Sequence, residues 1–462
     1  MPVYYNVCDF GAVGDGKTNN TKAFQVAIDE CAKAGGGIVL LPPGNYLTGT
    51  FFLKDNVDFH LTGGAIVTGS SDLNDYKSSL YSQKSLNDRT SGTHLIIAQK
   101  ANNVSISGTG CIDGNALAFF EAKPESAKLA IKGDVRTSQM VIFCDCENVK
   151  VSDVLFRNSP YWHLFIYGCR KVQIHGIRIK SNPDTCTNDG LDIDSSMDVV
   201  VSDCLIESQD DCITLRANNQ PIGNRQNCEN ISVTNCILKT DCCGIRVGVG
   251  SGEVRNAVFS NIIIKKAKIG IDIIGLWTNK LSGVLVENII FSNFIIHANI
   301  PFFITPGYGS TKPVKNIFFN NIMASAMSCC YLGGVPGNST SEIYIRDMKI
   351  VMQPGIDNIH ERNDMISEWA QKGYTSASNS MKVPYGLWIE HVENSEFKNI
   401  QIILEDQKDI WLNAIKINDV KNLKFESIVL RGFASYCDNL WSNERIDDFT
   451  LKTFNEKNIS VE

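Results

Sequence analysis

Thr187-Asn188-Asp189-Gly190-Leu191-Asp192-Ile193 and Gln209-Asp210-Asp211-Cys212-Ile213-Thr214-Leu215 are one pattern written twice. Each has a polar pair, a small residue, then apolar and polar residues in alternation. Asp189 and Asp211 are 22 residues apart, about one turn of a coil, so the two phrases are expected to stack as neighbouring strands. Asp189, Asp210 and Asp211 then meet on one surface. Clustered carboxylates suit acid/base hydrolysis. Three on one coil also suit Ca²⁺, but the expectation here is a site without metal or other cofactor. Neighbouring residues of a regular strand face opposite sides, so Asp210 and Asp211 cannot both reach solvent unless the chain turns or bulges there. Gly190 is expected to supply the matching freedom in the first phrase.

The same kind of phrase recurs along the chain. Val149-Lys150-Val151-Ser152-Asp153, Val172-Gln173-Ile174-His175-Gly176, Val199-Val200-Val201-Ser202-Asp203, Ile231-Ser232-Val233-Thr234-Asn235 and Ile289-Ile290-Phe291-Ser292-Asn293 are examples. Each alternates at period two and closes on Asn, Asp, Gly or Ser, where a tight turn is easy. Between positions 151 and 345 the spacing runs 23, 27, 32, 26, 32, 28 and 26 residues. A repeat of this length with strand-like content means stacked coils. No amphipathic segment of helix length separates the strands, which argues against a βαβ sheet. The predicted fold is all-β: a single-domain right-handed parallel β-helix, each coil pairing its strand edges with its neighbours at about 4.8 Å. Asn side chains at successive turns are expected to form a ladder inside the coil.

Residues 1–45 read as an N-terminal cap leading into the β-helix of residues 46–462. There Asn19-Asn20-Thr21 starts a short helix through Phe24, Val26, Ala27, Ile28 and Cys31, which stops at Gly35-Gly36-Gly37. Such a helix covers the exposed first coil. Residues near 352–386 break the repeat and read as an insertion.

Bulk properties bound the function. The chain has 462 residues, 43% hydrophobic and 20% charged, with a net charge of −7, an ordinary balance for a soluble globular protein. The negative charge argues against nucleic-acid binding, and an anionic substrate would need local basic residues. No apolar run approaches the roughly 18 residues of a membrane span. Met1-Pro2-Val3-Tyr4-Tyr5-Asn6 is no signal peptide, so the expectation is cytoplasmic if the chain is complete and periplasmic or secreted if a leader was removed. The 16 cysteines lack zinc or thioredoxin spacing and often occupy positions of small apolar residues, so they read as buried free thiols.

Four motifs occur in order: Cys8-Asp9-Phe10-Gly11-Ala12-Val13-Gly14-Asp15-Gly16, Asn158-Ser159-Pro160-Tyr161-Trp162-His163, Asn188-Asp189-Gly190 and Asp210-Asp211-Cys212. Together they resemble the polygalacturonase family of glycoside hydrolases, family 28, over nearly the whole chain. The resemblance implies a right-handed parallel β-helix and inverting hydrolysis of pectic glycosidic bonds. By position it implies Asp210 as general acid, with Asp189 and Asp211 activating the water, and crowding of like charge favouring a protonated Asp210. His163 resembles a family position beside the cleft, and Tyr308 in Pro306-Gly307-Tyr308 matches a family tyrosine. Trp162, Trp277 and Tyr308 are candidates for stacking on sugar faces, and Arg216 for holding a sugar carboxylate.

Two departures bear on substrate. The family shows Gly-His-Gly where this chain reads Cys242-Cys243-Gly244, and Arg-Ile-Lys where it reads Asp272-Ile273-Ile274. Aligning the coils on Gly190, Cys212, Gly244 and Gly270 stacks Asp192, Thr214, Arg246 and Asp272 in one column, read as outward-facing. Arg246 is expected to pair with Asp272 and to hold a hydroxyl-rich sugar, so that a neutral sugar such as rhamnose occupies the leaving side. The expected partner is a pectic poly- or oligosaccharide. A polysaccharide lyase and a non-catalytic carbohydrate-binding β-helix are the competing readings.

Overall fold

The computed structural model describes residues 3–82, 87–123, 128–217, 227–276, 282–353, 385–405, 413–432 and 446–454. The chain divides into two compact units. The first is Met1–Thr214 with Gln220–Gln226 and Asn230–Thr240. The second is Leu215–Asn219 with Asn227–Glu229 and Asp241–Glu462.

In the first unit, helix α1 (Thr21–Lys33) buries Phe24, Ala27, Ile28 and Cys31. Phe24 meets Phe51 and Phe59 edge-on, with ring centroids 5.4 and 5.8 Å apart, so the helix covers the first coil as expected. The cap differs in detail. Asn19 Oδ1 accepts from the Thr21 N–H, while Asn20 Nδ2 donates to the carbonyls of Val13, Thr18 and Leu47. The parallel ladder already includes Gly37–Leu41, paired with Val57–Leu61, so coiling begins ahead of residue 46.

Three rows of parallel strands make the coils. The first row contains β1 (Phe51–Leu53), β2 (Ile96–Gln99), β3 (Val141–Cys144), β4 (Leu164–Tyr167) and β5 (Leu191–Asp194), each paired with the next. The second row runs through Asn102–Gly108, Glu147–Ser152, Arg170–His175 and Met197–Ser202. The third runs through Cys111–Asp113, Leu155–Arg157, Arg178–Lys180, Leu205–Glu207 and Ile237–Lys239. The second row alternates buried and exposed positions, as in Arg170–His175. The first row does not: β3, β4 and β5 are buried at every position. Ile97, Ile142 and Phe165 form a cluster with Cys144 and Tyr167, against which Phe52, Tyr81 and Trp162 pack. A strand buried on both faces loses the period-two signature.

In the second unit, β6 (Cys243–Gly250) pairs with β7 (Glu253–Ile274) and β7 with β8 (Leu285–Thr305). The ladder continues through Val314–Ala326, Thr340–Met352, Tyr385–Leu404, Asn413–Arg431 and Ile446–Phe454. Phe259, Phe291 and Phe319 stack at 5.0 Å. The predicted insertion near 352–386 falls almost entirely outside the described residues.

The asparagine ladder exists, but on the outside. Asn288 Nδ2 donates to Asn256 and Asn316 to Asn288; a second ladder runs Asn261–Asn293–Asn321. Five of the six are exposed and Asn316 is half-buried, all with φ between 55° and 59°. Asn tolerates this left-handed region better than other side-chain-bearing residues, so the turns, not the interior, select it. The fifteen described cysteines are free, and all but Cys8, Cys186 and Cys242 are buried, as read from the sequence.

Candidate active site

The two opening phrases lie side by side. The Gly190 N–H donates to the Asp211 carbonyl (2.8 Å) and the Leu191 N–H to the Cys212 carbonyl (2.9 Å). In a parallel ladder this register sets Asp189 beside Asp211. On the other side, Leu164 pairs with Leu191, which sets Trp162 beside Asp189 two residues earlier. The row Trp162–Asp189–Asp211 therefore runs across three coils. Asp189 and Asp211 are each 4% exposed, whereas Asp210 and Trp162 are half-buried.

The chain bends at Gln209–Asp210, as the adjacent carboxylates require. The Asp210 carbonyl accepts from Ser208 Oγ (2.7 Å) and from Thr240 Oγ1. Asp210 Oδ1 accepts from the Asp211 N–H at 3.1 Å. Cys212 Sγ lies 3.2 Å from Ser208 Oγ under the same bend, and burial pushes its thiol up to about 12, so it is an inert packing group at neutral pH.

Gly190 is required for space rather than for freedom of backbone. A Cβ there would lie 2.5 Å from the Cys212 carbonyl oxygen and 2.6 Å from Ile206 Cγ2. The positive φ in this segment belongs to Thr187, at 52°.

His163 does not reach a sugar. It is fully buried. Its Nε2 accepts from the Ser159 N–H (3.4 Å), which makes Nδ1 the donor to the Asp189 carbonyl at 2.9 Å. Burial pulls its pKa down to about 4, with the Asp189 carbonyl opposing the shift. The side chain is a neutral strut under Asp189, not a cleft residue. Asn188, also fully buried, completes the support: its Nδ2 donates to the Ser159 carbonyl at 2.6 Å and its Oδ1 accepts from Thr185 Oγ1 at 2.9 Å.

Arg136, 1% exposed, lies in none of the motifs that point to the site. Its guanidinium donates to the carbonyls of Pro160 (2.6 Å) and Cys186 (3.0 Å) and to Thr187 Oγ1. It also lies 4.8 Å from the Tyr161 ring and 5.5 Å from that of Phe120. Burial lowers its pKa, and the negative charge of Asp189 is among the influences that raise it. Arg136 thus ties the 158–163 turn to the segment that carries Asp189 and places a positive charge within electrostatic reach of that carboxylate. No periodic signal could have found it, because its partners are 24 to 51 residues away.

In the second unit, Arg246 and Asp272 are paired in register, with Arg246 Nη2 3.5 Å from Asp272 Oδ2. Arg246 also donates to Cys243 Sγ at 3.2 Å. The ion pair matches the sequence reading, but its outward orientation does not. Arg246 is 4% exposed, the same as Asp189 and Asp211, whereas Asp272, Asp192 and Thr214 are fully buried, so Asp272 offers no face to a sugar. All four positions belong to stretches in which consecutive residues are buried, where alternation does not report solvent. Tyr308 is 50% exposed, between two glycines with positive φ. Arg216 is half-buried. Trp277 lies outside the described residues. Trp162 stacks on Tyr161 with centroids 4.9 Å apart.

Comparison with known proteins bears on the family and the fold. A probable polygalacturonase of Vitis vinifera is 31% identical over 220 residues, covering 46% of this chain and 44% of that protein, so in that alignment the chain spans less than half of the relative's length. A probable polygalacturonase of Arabidopsis thaliana is 25% identical over 405 residues, covering 78% of this chain and 82% of that protein. The solved structure of the Yersinia enterocolitica family 28 exopolygalacturonase superposes with a TM-score of 0.67 at 19% identity, over 99% of this chain and 79% of that one, which shows a shared β-helix fold. The sequence model of glycosyl hydrolases family 28 matches residues 77–368, a span that contains all three aspartates, and the chain belongs to that family.

Proposed function

We propose that the protein hydrolyses α-glycosidic bonds in galacturonate-containing pectic polysaccharide or oligosaccharide, with inversion of configuration. Asp210, at the bend and the most accessible of the three, is the general acid that protonates the leaving oxygen. Asp189 and Asp211, side by side on adjacent coils, take the proton of the attacking water on the opposite face. The observation that carries this reading is the register placing Asp189 beside Asp211 with Asp210 at the adjoining bend. Trp162, in the same row and half-buried, is the ring best placed to stack on a sugar.

The leaving side is proposed to accept a neutral sugar such as rhamnose. Support comes from the sequence, where Cys242-Cys243-Gly244 and Asp272-Ile273-Ile274 replace the histidine and both cations of the family pattern. This version of the proposal does not rely on Arg246, whose guanidinium is engaged by Asp272.

The test is a product profile on defined homogalacturonan and rhamnogalacturonan oligosaccharides, with the anomer of the new reducing end followed by NMR. Hydrolysis with inversion, abolished in Asp210→Asn, is the expected result. A clear preference for homogalacturonan removes the neutral-sugar proposal. An unsaturated uronide product means a lyase, and binding without turnover means a carbohydrate-binding β-helix.

A further inference from the structure

The face of the coils that carries Asp189 continues, toward the N-terminus, to a basic cavity. Register fixes the relation. Phe52 of β1 pairs with Ile97, Ile97 with Ile142, Ile142 with Phe165, and Phe165 with Asp192 of β5. Asp189 lies on the same coil as Asp192, three residues before it. Four coil steps of about 4.8 Å put Phe52 roughly 19 Å from that coil along the stack. Phe52 and Trp162 pack against one hydrophobic cluster, so the ring at β1 and the ring beside Asp189 belong to one continuous face.

A cavity of about 550 Å³ opens between α1 and β1, with Gln25, Asp29, Phe52, Lys22, Lys54 and Lys77 in its wall. Gln25 fixes the wall. Its Oε1 accepts from the Phe52 N–H at 2.8 Å, and its Nε2 donates to the Phe52 carbonyl at 3.1 Å and to Asp29 Oδ1 at 2.9 Å. Lys54 Nζ lies 2.7 Å from Asp29 Oδ1. Lys22 and Lys77 are exposed, and among the described residues neither has an ion-pair partner. The neighbouring carboxylate of Asp75 accepts from Asn19 Nδ2 (3.1 Å) and Ser70 Oγ (2.5 Å). The wall therefore carries three ammonium groups and one carboxylate.

We propose that this cavity is an ancillary binding site for the carboxylates of an oligogalacturonide chain, one part of which lies at the aspartates. The proposal deepens, and rests on, the uronide-hydrolase reading above. A protein of net charge −7 needs local cations to hold a polyanion, and the cavity gathers them. Its concave wall, with a half-buried ring among a few fixed polar groups, has the make-up of a small-ligand site. An ammonium is a compact point charge that suits a single carboxylate without requiring bidentate geometry. A galacturonate chain is a row of such carboxylates, so one chain laid along this face meets both places.

The experiment is calorimetric titration of octagalacturonate, and of its fully methyl-esterified counterpart, into the full chain carrying Asp210→Asn to prevent turnover. Lys22→Gln with Lys77→Gln removes two charges from the cavity. Lys100→Gln with Lys150→Gln removes two exposed charges of the same compact unit outside it. The cavity pair should weaken octagalacturonate binding about tenfold, a ΔΔG of about 1.4 kcal/mol, and change the ester by less than about twofold. The control pair should change neither ligand by more than about twofold, and one octamer should bind per chain. Equal weakening by the two lysine pairs marks general attraction of a polyanion and overturns the proposal. So does equal weakening of acid and ester, no change, or no binding of octagalacturonate. Two octamers per chain, one lost with the cavity lysines, overturns the single-chain arrangement. Turnover by the unmodified protein is read separately. Cavity-dependent binding without turnover sinks the hydrolase reading alone, and turnover without cavity-dependent binding sinks the cavity assignment alone.

Discussion

Gly190 has no room for a side chain, and its neighbours decide what a methyl group there would move. The contacts are the backbone oxygen of Cys212, 2.5 Å away, and Ile206 Cγ2, 2.6 Å away. Neither is the free end of a flexible side chain, so Gly190→Ala must shift the strand that follows Asp210 and Asp211. The expected cost is about 1–3 kcal/mol in stability, typical of overpacking, with kcat reduced by more than KM is raised. Chemical denaturation and steady-state kinetics check both. His163 makes a second residue-scale point. Its place in a motif beside the catalytic phrases suggested contact with substrate, yet the same spacing serves a buried strut under Asp189. One sequence cannot separate these, because both put the histidine beside the aspartate and only burial tells them apart.

At the scale of elements, the ladder was legible and its coverage was not. The period-two phrases, the turn residues and the 22-residue offset that pairs Asp189 with Asp211 were all read from the chain, because strand pairing and tight turns depend on local residue type. Arg136 was invisible because its role arises from hydrogen bonds to segments 24 to 51 residues distant. The register of Arg246 with Asp272 was legible, but Asp192, Thr214, Arg246 and Asp272 were all assigned to solvent and all four are buried, since alternation cannot say what packs on the far face of a strand. The buried Arg246–Asp272 pair gives a direct check. Removing one partner strands the other charge, so Arg246→Met should cost about 3–5 kcal/mol. The double variant Arg246→Met with Asp272→Leu should recover most of that, as buried pairs often exchange for apolar groups at little cost. Denaturant midpoints of both variants and the parent measure it. The clamp of Arg136 should behave differently: Arg136→Met orphans the buried Pro160 carbonyl, at on the order of 1–3 kcal/mol, gives up the bonds to Cys186 and Thr187, and should lower kcat by loosening the segment that carries Asp189.

At the scale of the whole molecule, chemistry and stability pull the working pH in opposite directions. A carboxylic acid serving as proton donor favours mildly acidic solution. The first compact unit, which holds all three aspartates, also holds His94 and His163, both fully buried and each pulled down by burial to about 4 from an ordinary 6.5. His94 is held by Gln139, whose carbonyl accepts from its Nδ1 at 2.7 Å, and by Ser82, 2.5 Å from its Nε2. His163 is held as described above. Unfolded, each takes up a proton as pH falls through about 6.5; folded, each resists until about pH 4. The unfolded state therefore binds more protons throughout that window, and stability must fall as pH drops. The loss is about 1.4 kcal/mol per pH unit per histidine, fully developed below pH 4 and absent above about 6.5. For two histidines the fall between pH 6.5 and 5 is on the order of 4 kcal/mol, a large share of the 5–15 kcal/mol of a typical domain. Urea denaturation at pH 7, 6 and 5 should show this decline, and His94→Gln should flatten its slope while lowering stability at pH 7. A flat profile between pH 7 and 5 would mean that these imidazoles are protonated in the fold. If the decline is observed, the acid limb of the activity profile will report loss of the folded unit as well as titration of the aspartates. The two separate by preincubation: activity lost through unfolding deepens with time at pH 5, whereas activity lost through protonation returns at once on neutralisation.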